Sequence, residues 1–212
     1  MTHPRRSPPR DARRRDDADR SAGAPCSRQT PRGPVAWALC ALATAVLVAI
    51  ALLVTPGEGW HRATVAAFAC AAPLLVWIDL AEQRLPDLVV LPLLVVVGVF
   101  TVIAGSVDGT PGRIGAAFVG LALTTCLFGA MFVLAPSSLG FGDVKLAPSV
   151  GLLLGWHGWG VVVLGIAAVF VLGLVHGLAH AARIGRLRDA EVAFGPAMIA
   201  ATLLVCALIG AS

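Results

Sequence analysis

Apolar residues run along this chain in long continuous stretches, without the period-two alternation of strands. Seven stretches stand out, at 35–54, 63–80, 88–104, 114–135, 144–156, 159–182 and 192–210. Between them lie turn-forming breaks such as Thr55-Pro56-Gly57, Asp108-Gly109-Thr110-Pro111-Gly112 and Gly155-Trp156-His157-Gly158. Most stretches approach or exceed the roughly 18–20 residues that cross a hydrocarbon core as a helix. The pattern predicts an all-α, polytopic membrane protein of about seven transmembrane helices.

Composition agrees: of 212 residues, 58% are hydrophobic and 13% charged, with no tyrosine. A soluble domain with so little charge could not cover its surface. The charge is also unevenly placed. Residues 1–34 hold nine arginines and four aspartates among Pro, Ser and Ala. Such a segment cannot bury enough apolar surface to offset its ordering entropy, so it is expected to be a disordered, basic cytosolic tail ahead of a membrane-embedded domain over 35–212. It is too long for the n-region of a cleavable signal, and the run after it is of spanning length. The five cysteines, Cys26, Cys40, Cys70, Cys126 and Cys206, form no C-x-x-C pair, so neither a zinc site nor a disulfide framework is indicated.

Positive residues stay on the cytosolic side of a membrane. With the N-terminus inside, that side receives the nine tail arginines plus Arg84, Lys145, Arg183, Arg186 and Arg188, leaving only Arg62 and Arg113 of the sixteen basic residues outside. The expected topology is therefore N-terminus cytosolic and C-terminus outside. Under it the end of the second stretch and the starts of the fifth and seventh share the cytosolic face. Asp79 closes the second and Asp143 opens the fifth, so two acids far apart in sequence fall at one depth.

The fifth stretch is short. From Asp143 to His157 a helix extends about 22 Å, against a hydrocarbon core about 30 Å thick. Asp143 is therefore expected below the cytosolic surface, with Gly140–Gly142 as non-helical backbone lining a wet, protein-enclosed cavity. An ionisable residue at such depth is a functional-site candidate. Two carboxylates facing one water suit hydrolysis without a covalent intermediate: the ionised one takes a proton from the attacking water, and the protonated one donates to the carbonyl oxygen.

Three motifs occur in order. Asp79 is followed by Gln83-Arg84-Leu85-Pro86-Asp87; then comes Gly140-Phe141-Gly142-Asp143-Val144-Lys145-Leu146; then Ala193-Phe194-Gly195-Pro196. Together they resemble the type IV prepilin peptidases, membrane aspartyl proteases of the GxGD type, whose patterns are Asp with Arg-Ile-Pro-Asn/Asp, G-x-G-D-x-K-L and Pro-Phe-Gly-Pro. Ala193 stands in place of the last motif's first proline. The resemblance spans roughly residues 35–212.

The resemblance implies that Asp79 and Asp143 are the catalytic pair, with Gly140, Gly142, Lys145, Arg84, Pro86, Asp87, Phe194, Gly195 and Pro196 binding substrate or shaping the site. It implies a prepilin or pseudopilin substrate, cleaved at its leader on the cytosolic face of the cell (inner or plasma) membrane. The lipid bilayer is the other partner; no nucleic acid, metal or cofactor is implied. Several positions keep a second reading. Gly140 and Gly142 could be helix-packing glycines, Lys145 an interfacial lysine, Asp87 a helix N-cap, and Pro196 an ordinary helix start. His176 and His180 stand at metal-ligand spacing, but no third ligand accompanies them. Gly151-x-x-x-Gly155 and Gly173-x-x-x-Gly177 read as helix contacts.

Longer members of that family carry a cytosolic, cysteine-bearing domain between the first two segments and also methylate the new N-terminus. Only about eight residues join those segments here, so a short, peptidase-only form is expected. Other readings of the carboxylate pair are a GxGD protease of different specificity, an ion or proton relay through Asp79 and Asp143, or a non-catalytic pilus-assembly scaffold.

Overall fold

The computed structural model describes residues 34–55, 59–82, 85–134, 139–184 and 194–211. The expectations for the basic tail, Cys26, Arg84, Arg186, Arg188 and Ala193, and for the side chains of His180 and Arg183, lie outside what it describes. Among the described residues the chain forms seven α-helices and no strand: α1 (Pro34–Val54), α2 (Trp60–Glu82), α3 (Asp87–Val107), α4 (Pro111–Leu134), α5 (Phe141–Trp156), α6 (Trp159–Ile184) and α7 (Gly195–Ala211).

Four of these, α2, α3, α4 and α6, contain stretches long and apolar enough to cross a membrane. In α1 and α7 the apolar run is shorter. With the uniformly apolar composition this makes the chain a helical membrane protein. Large side chains such as Leu88, Leu91, Val95, Val163, Val171 and Leu174 point outward. In lipid that costs nothing, because acyl chains are as apolar as the side chains facing them.

Helix ends follow local chemistry. After α3 the chain turns at Gly109, whose φ of 62° is left-handed, and Thr110 N–H returns to the Gly105 carbonyl at 2.8 Å. That is the bond pattern of a glycine-terminated helix. Between α5 and α6, Gly158 does similar work at φ 102°. Two of the departures from the hydropathy boundaries have physical causes. A helix beginning at 192 would need an N–H from residue 196, and Pro196 has none, so α7 starts at Gly195. Conversely, α5 starts at Phe141, earlier than the apolar run suggests. Gly142 and Asp143 therefore belong to its first turn, and the expected loop shrinks to Gly140, the N-cap.

Helix α5 is the centre of the bundle. Eleven of its 16 residues are buried, and it packs against α3, α4, α6 and α7. Its contact with α4 is the closest. A Cβ at Gly155 would lie 2.8 Å from Ala117 Cα, and one at Gly151 would run into the Gly120 backbone and Thr124. Small residues let the two backbones meet where lipid supplies no hydrophobic drive. The Thr124 hydroxyl, wholly buried, lies 2.9 Å from the carbonyls of both Gly120 and Ala147, joining the two helices. Thr101 and Thr202 turn their hydroxyls onto the carbonyls of Val97 and Met198 within their own helices. Buried polar groups need such partners away from water.

Candidate active site

Three helices deliver the site. α2 carries Asp79 near its end, α5 carries Asp143 in its first turn, and α7 begins at Gly195. A Cβ on Gly195 would lie 3.0 Å from Asp79 Cγ and 3.5 Å from Asp143 Oδ1. Both carboxyl groups thus converge on one backbone position, close enough that the charge of one acts on the other. Only a residue without a side chain fits between them.

The two acids are held differently. Asp143 is the third residue of α5, and its carboxyl faces the N–H of Gly140 at the N-cap. An acidic residue at this position answers a donor that the helix leaves unpaired. Asp79 is faced by the Gly195 N–H, at the start of α7. After these contacts, Oδ2 of Asp79 and Oδ1 of Asp143 are buried and accept no hydrogen bond from any described residue. Buried oxygens in that state are uncommon.

Exposure departs from the expectation of a wet cavity. Asp79 is 4% and Asp143 3% exposed. The site is closed by its own motifs: Gly195 covers the carboxyls, and Leu85 packs onto Gly142, whose Cβ would lie 3.0 Å from the Leu85 backbone nitrogen. The segment leading to Pro86 and Asp87 is thereby seated on the first turn of α5.

The surrounding candidates sort clearly. Lys145 pairs with Asp87 while lying 4.5 Å from the Phe141 ring centroid. Asp87 is not an N-cap. Pro86 occupies that position, and Asp87 is the exposed first residue of α3. The ion pair ties the start of α3 to the start of α5. Phe194 lies against Gly173 of α6, where a Cβ would meet its ring at 2.6 Å, so half of the expected Gly173/Gly177 contact is a seat for a site residue. Pro196 leaves the carboxyls and lines an apolar groove of about 640 Å³ with Trp77, Ala200 and Leu203.

The spacing of His176 to His180 concerns a side chain outside the described residues, but His176 itself faces another group. It lies close enough to Asp79 to act on that carboxyl's charge. Helical spacing compares residues within one helix, so it could not show an influence that crosses from α6 to α2. Among the described residues, no three His, Cys, Asp or Glu side chains are grouped as metal ligands.

Comparison with known proteins identifies the family of the chain. The sequence model of the Type IV leader peptidase family matches residues 66–178, which include Asp79 and Asp143. The chain is 33% identical over 143 residues to a prepilin leader peptidase/N-methyltransferase of Aeromonas salmonicida, covering 66% of this chain and 48% of that protein. A protein of the same description from Aeromonas hydrophila is 33% identical over 146 residues, covering 68% of this chain and 47% of the relative. The chain thus spans about half the length of the curated relatives it matches. No solved structure matches significantly. With the family model covering more than half of its residues, the chain belongs to the Type IV leader peptidase family.

Proposed function

We propose that residues 35–212 form a membrane-embedded aspartyl endopeptidase that cleaves the N-terminal leader of prepilin-like subunits. The observation that carries this reading is the convergence of Asp79 and Asp143 on Gly195, each with a buried oxygen unpaired among the described residues. Two like charges so placed share one proton, so the pair behaves as a unit with one acid and one base. In the proposed reaction the ionised carboxylate removes a proton from water as the water attacks the scissile carbonyl. The protonated partner donates to the carbonyl oxygen, and the resulting tetrahedral centre collapses as the leaving amine takes up a proton. No covalent enzyme intermediate forms.

The charge asymmetry of the loops supports a cytosolic position for this end of the bundle and a plasma-membrane location. A basic leader obeys the same rule and stays inside, while the apolar segment after it enters the bilayer, which brings the bond between them to the carboxyls. Co-expression of a prepilin with wild type, Asp79→Ala and Asp143→Ala chains tests the proposal. Leader removal by wild type and by neither variant is the expected result. Processing by both variants would refute it, and proton flux lost in either variant without any cleavage would identify a relay instead.

A further inference from the structure

At the other ends of the two aspartate-bearing helices, a second pair of titratable groups meets. His61 sits in the first turn of α2, and His157 caps the end of α5. Their Nε2 atoms are 3.3 Å apart. His61 is 3% exposed and stacks on Trp156 with ring centroids 4.8 Å apart and planes 9° apart. The Arg113 guanidinium, from the start of α4, lies 5.7 Å from the same Trp156 ring.

This bond depends on protonation. One Nε2–H donates and the other Nε2 accepts, so at least one ring must be neutral. A first added proton either fills the accepting nitrogen and breaks the bond, or leaves a buried imidazolium beside Arg113. Both are unfavourable. Arg113 is the charged side chain that acts on both rings. Arg62, on α2, is engaged with the Thr55 carbonyl at 3.1 Å, and Asp108 caps the end of α3 in the turn before α4. No described carboxylate forms an ion pair with either ring. Burial and Arg113 together hold His157 below its ordinary value of 6.5.

Position gives the pair its consequence. His61 lies eighteen residues before Asp79 and His157 fourteen after Asp143, about 27 Å and about 21 Å along their helices. The two helices that must bring the carboxyls together are joined at the far end by one side-chain bond. We propose that His61 and His157 are positioning residues, a clamp that needs at least one neutral ring and sets α2 against α5, and that acid at this end of the bundle releases it. The catalytic consequence rests on the peptidase reading; the clamp itself does not.

The test uses the purified full chain in lipid nanodiscs, wild type and His157→Gln, from about pH 5 to pH 8. Glutamine offers an amide donor and acceptor that does not titrate in this range. Two quantities are followed, the thermal unfolding midpoint and kcat on a prepilin-like peptide. A group held below its ordinary value stabilises the fold above that value, and the contribution is lost as pH falls. The wild-type midpoint should therefore drop below about pH 6.5, and kcat, which follows the lower value of the folded protein, should fall about twofold or more relative to His157→Gln by about pH 5. Titration of the aspartates is common to both proteins and cancels in the ratio. Equal midpoint profiles would overturn the clamp. An acid drop in midpoint confined to wild type, with superimposable kcat profiles, would overturn the positioning role and leave a purely structural bond. Absence of cleavage at every pH would remove the peptidase reading and the positioning role with it, while the midpoints would still decide the clamp.

Discussion

The two halves of helix α5 are built to different rules. Toward its C-terminus, Gly151 and Gly155 lie against α4 with no room for a Cβ, and Thr124 ties the helices through buried carbonyls. In its first turn the same helix carries Asp143, whose Oδ1 is buried, accepts no hydrogen bond from the described residues and faces a second acid across Gly195. One half of the helix is thus packed backbone to backbone, and the other places a buried carboxyl beside a second acid. Residues near Gly195 should therefore control turnover, and residues near Gly155 should control folding.

Gly195→Ala puts a methyl group against the Asp79 carboxyl and should give the largest effect among the packing variants. Leader cleavage should fall at least about 100-fold while the protein still assembles in the membrane, because a misplacement of about 1 Å at reacting groups costs on that order. An active Gly195→Ala enzyme would show that the carboxyls do not meet at this position. Gly151→Ala should do the reverse. Its Cβ meets the Gly120 backbone, so the fold should lose about 1–3 kcal/mol by denaturant titration, with cleavage per folded molecule near wild type.

Thr124→Val keeps the shape and removes the hydroxyl shared with the Ala147 carbonyl, which should cost about 0.5–1.5 kcal/mol in the same titration and leave KM unaltered. The smallest effect belongs to Lys145→Met. Its partner Asp87 is 60% exposed, and an ion pair of that kind contributes about 0.2–1 kcal/mol. Activity should change by only a few fold; a loss as large as that of Gly195→Ala would move Lys145 from the rim of the site into it.

Much of this arrangement was legible in the order of residues. Continuous apolar runs gave the seven helices, and alternation of basic loops predicted that Asp79 and Asp143 share an end of the bundle. The shortness of the fifth run pointed to a sunken carboxylate. Hydropathy did not place the first turn of α5, because Gly142 and Asp143 lower the local average while an N-terminal acid is compatible with a helix start. Other features arise only from packing. His61 and His157 are 96 residues apart, and nothing in either neighbourhood announces the other. The influence of His176 on the Asp79 charge crosses from α6 to α2, and spacing within α6 compares only residues of that helix. Closure of the site by Leu85 on Gly142 likewise required both loops to be in place.

The central claim is that Asp79 and Asp143 act as one unit, and a double-mutant comparison tests it most directly. Steady-state cleavage of a prepilin-like substrate would be measured for wild type, Asp79→Asn, Asp143→Asn and the double variant, with each confirmed as folded. If the carboxyls share one proton and one water, each single change should lower kcat by about a thousandfold or more, and the double change should cost little beyond either alone. Independent effects that multiply in the double variant, or substantial turnover surviving in one single variant, would contradict the account.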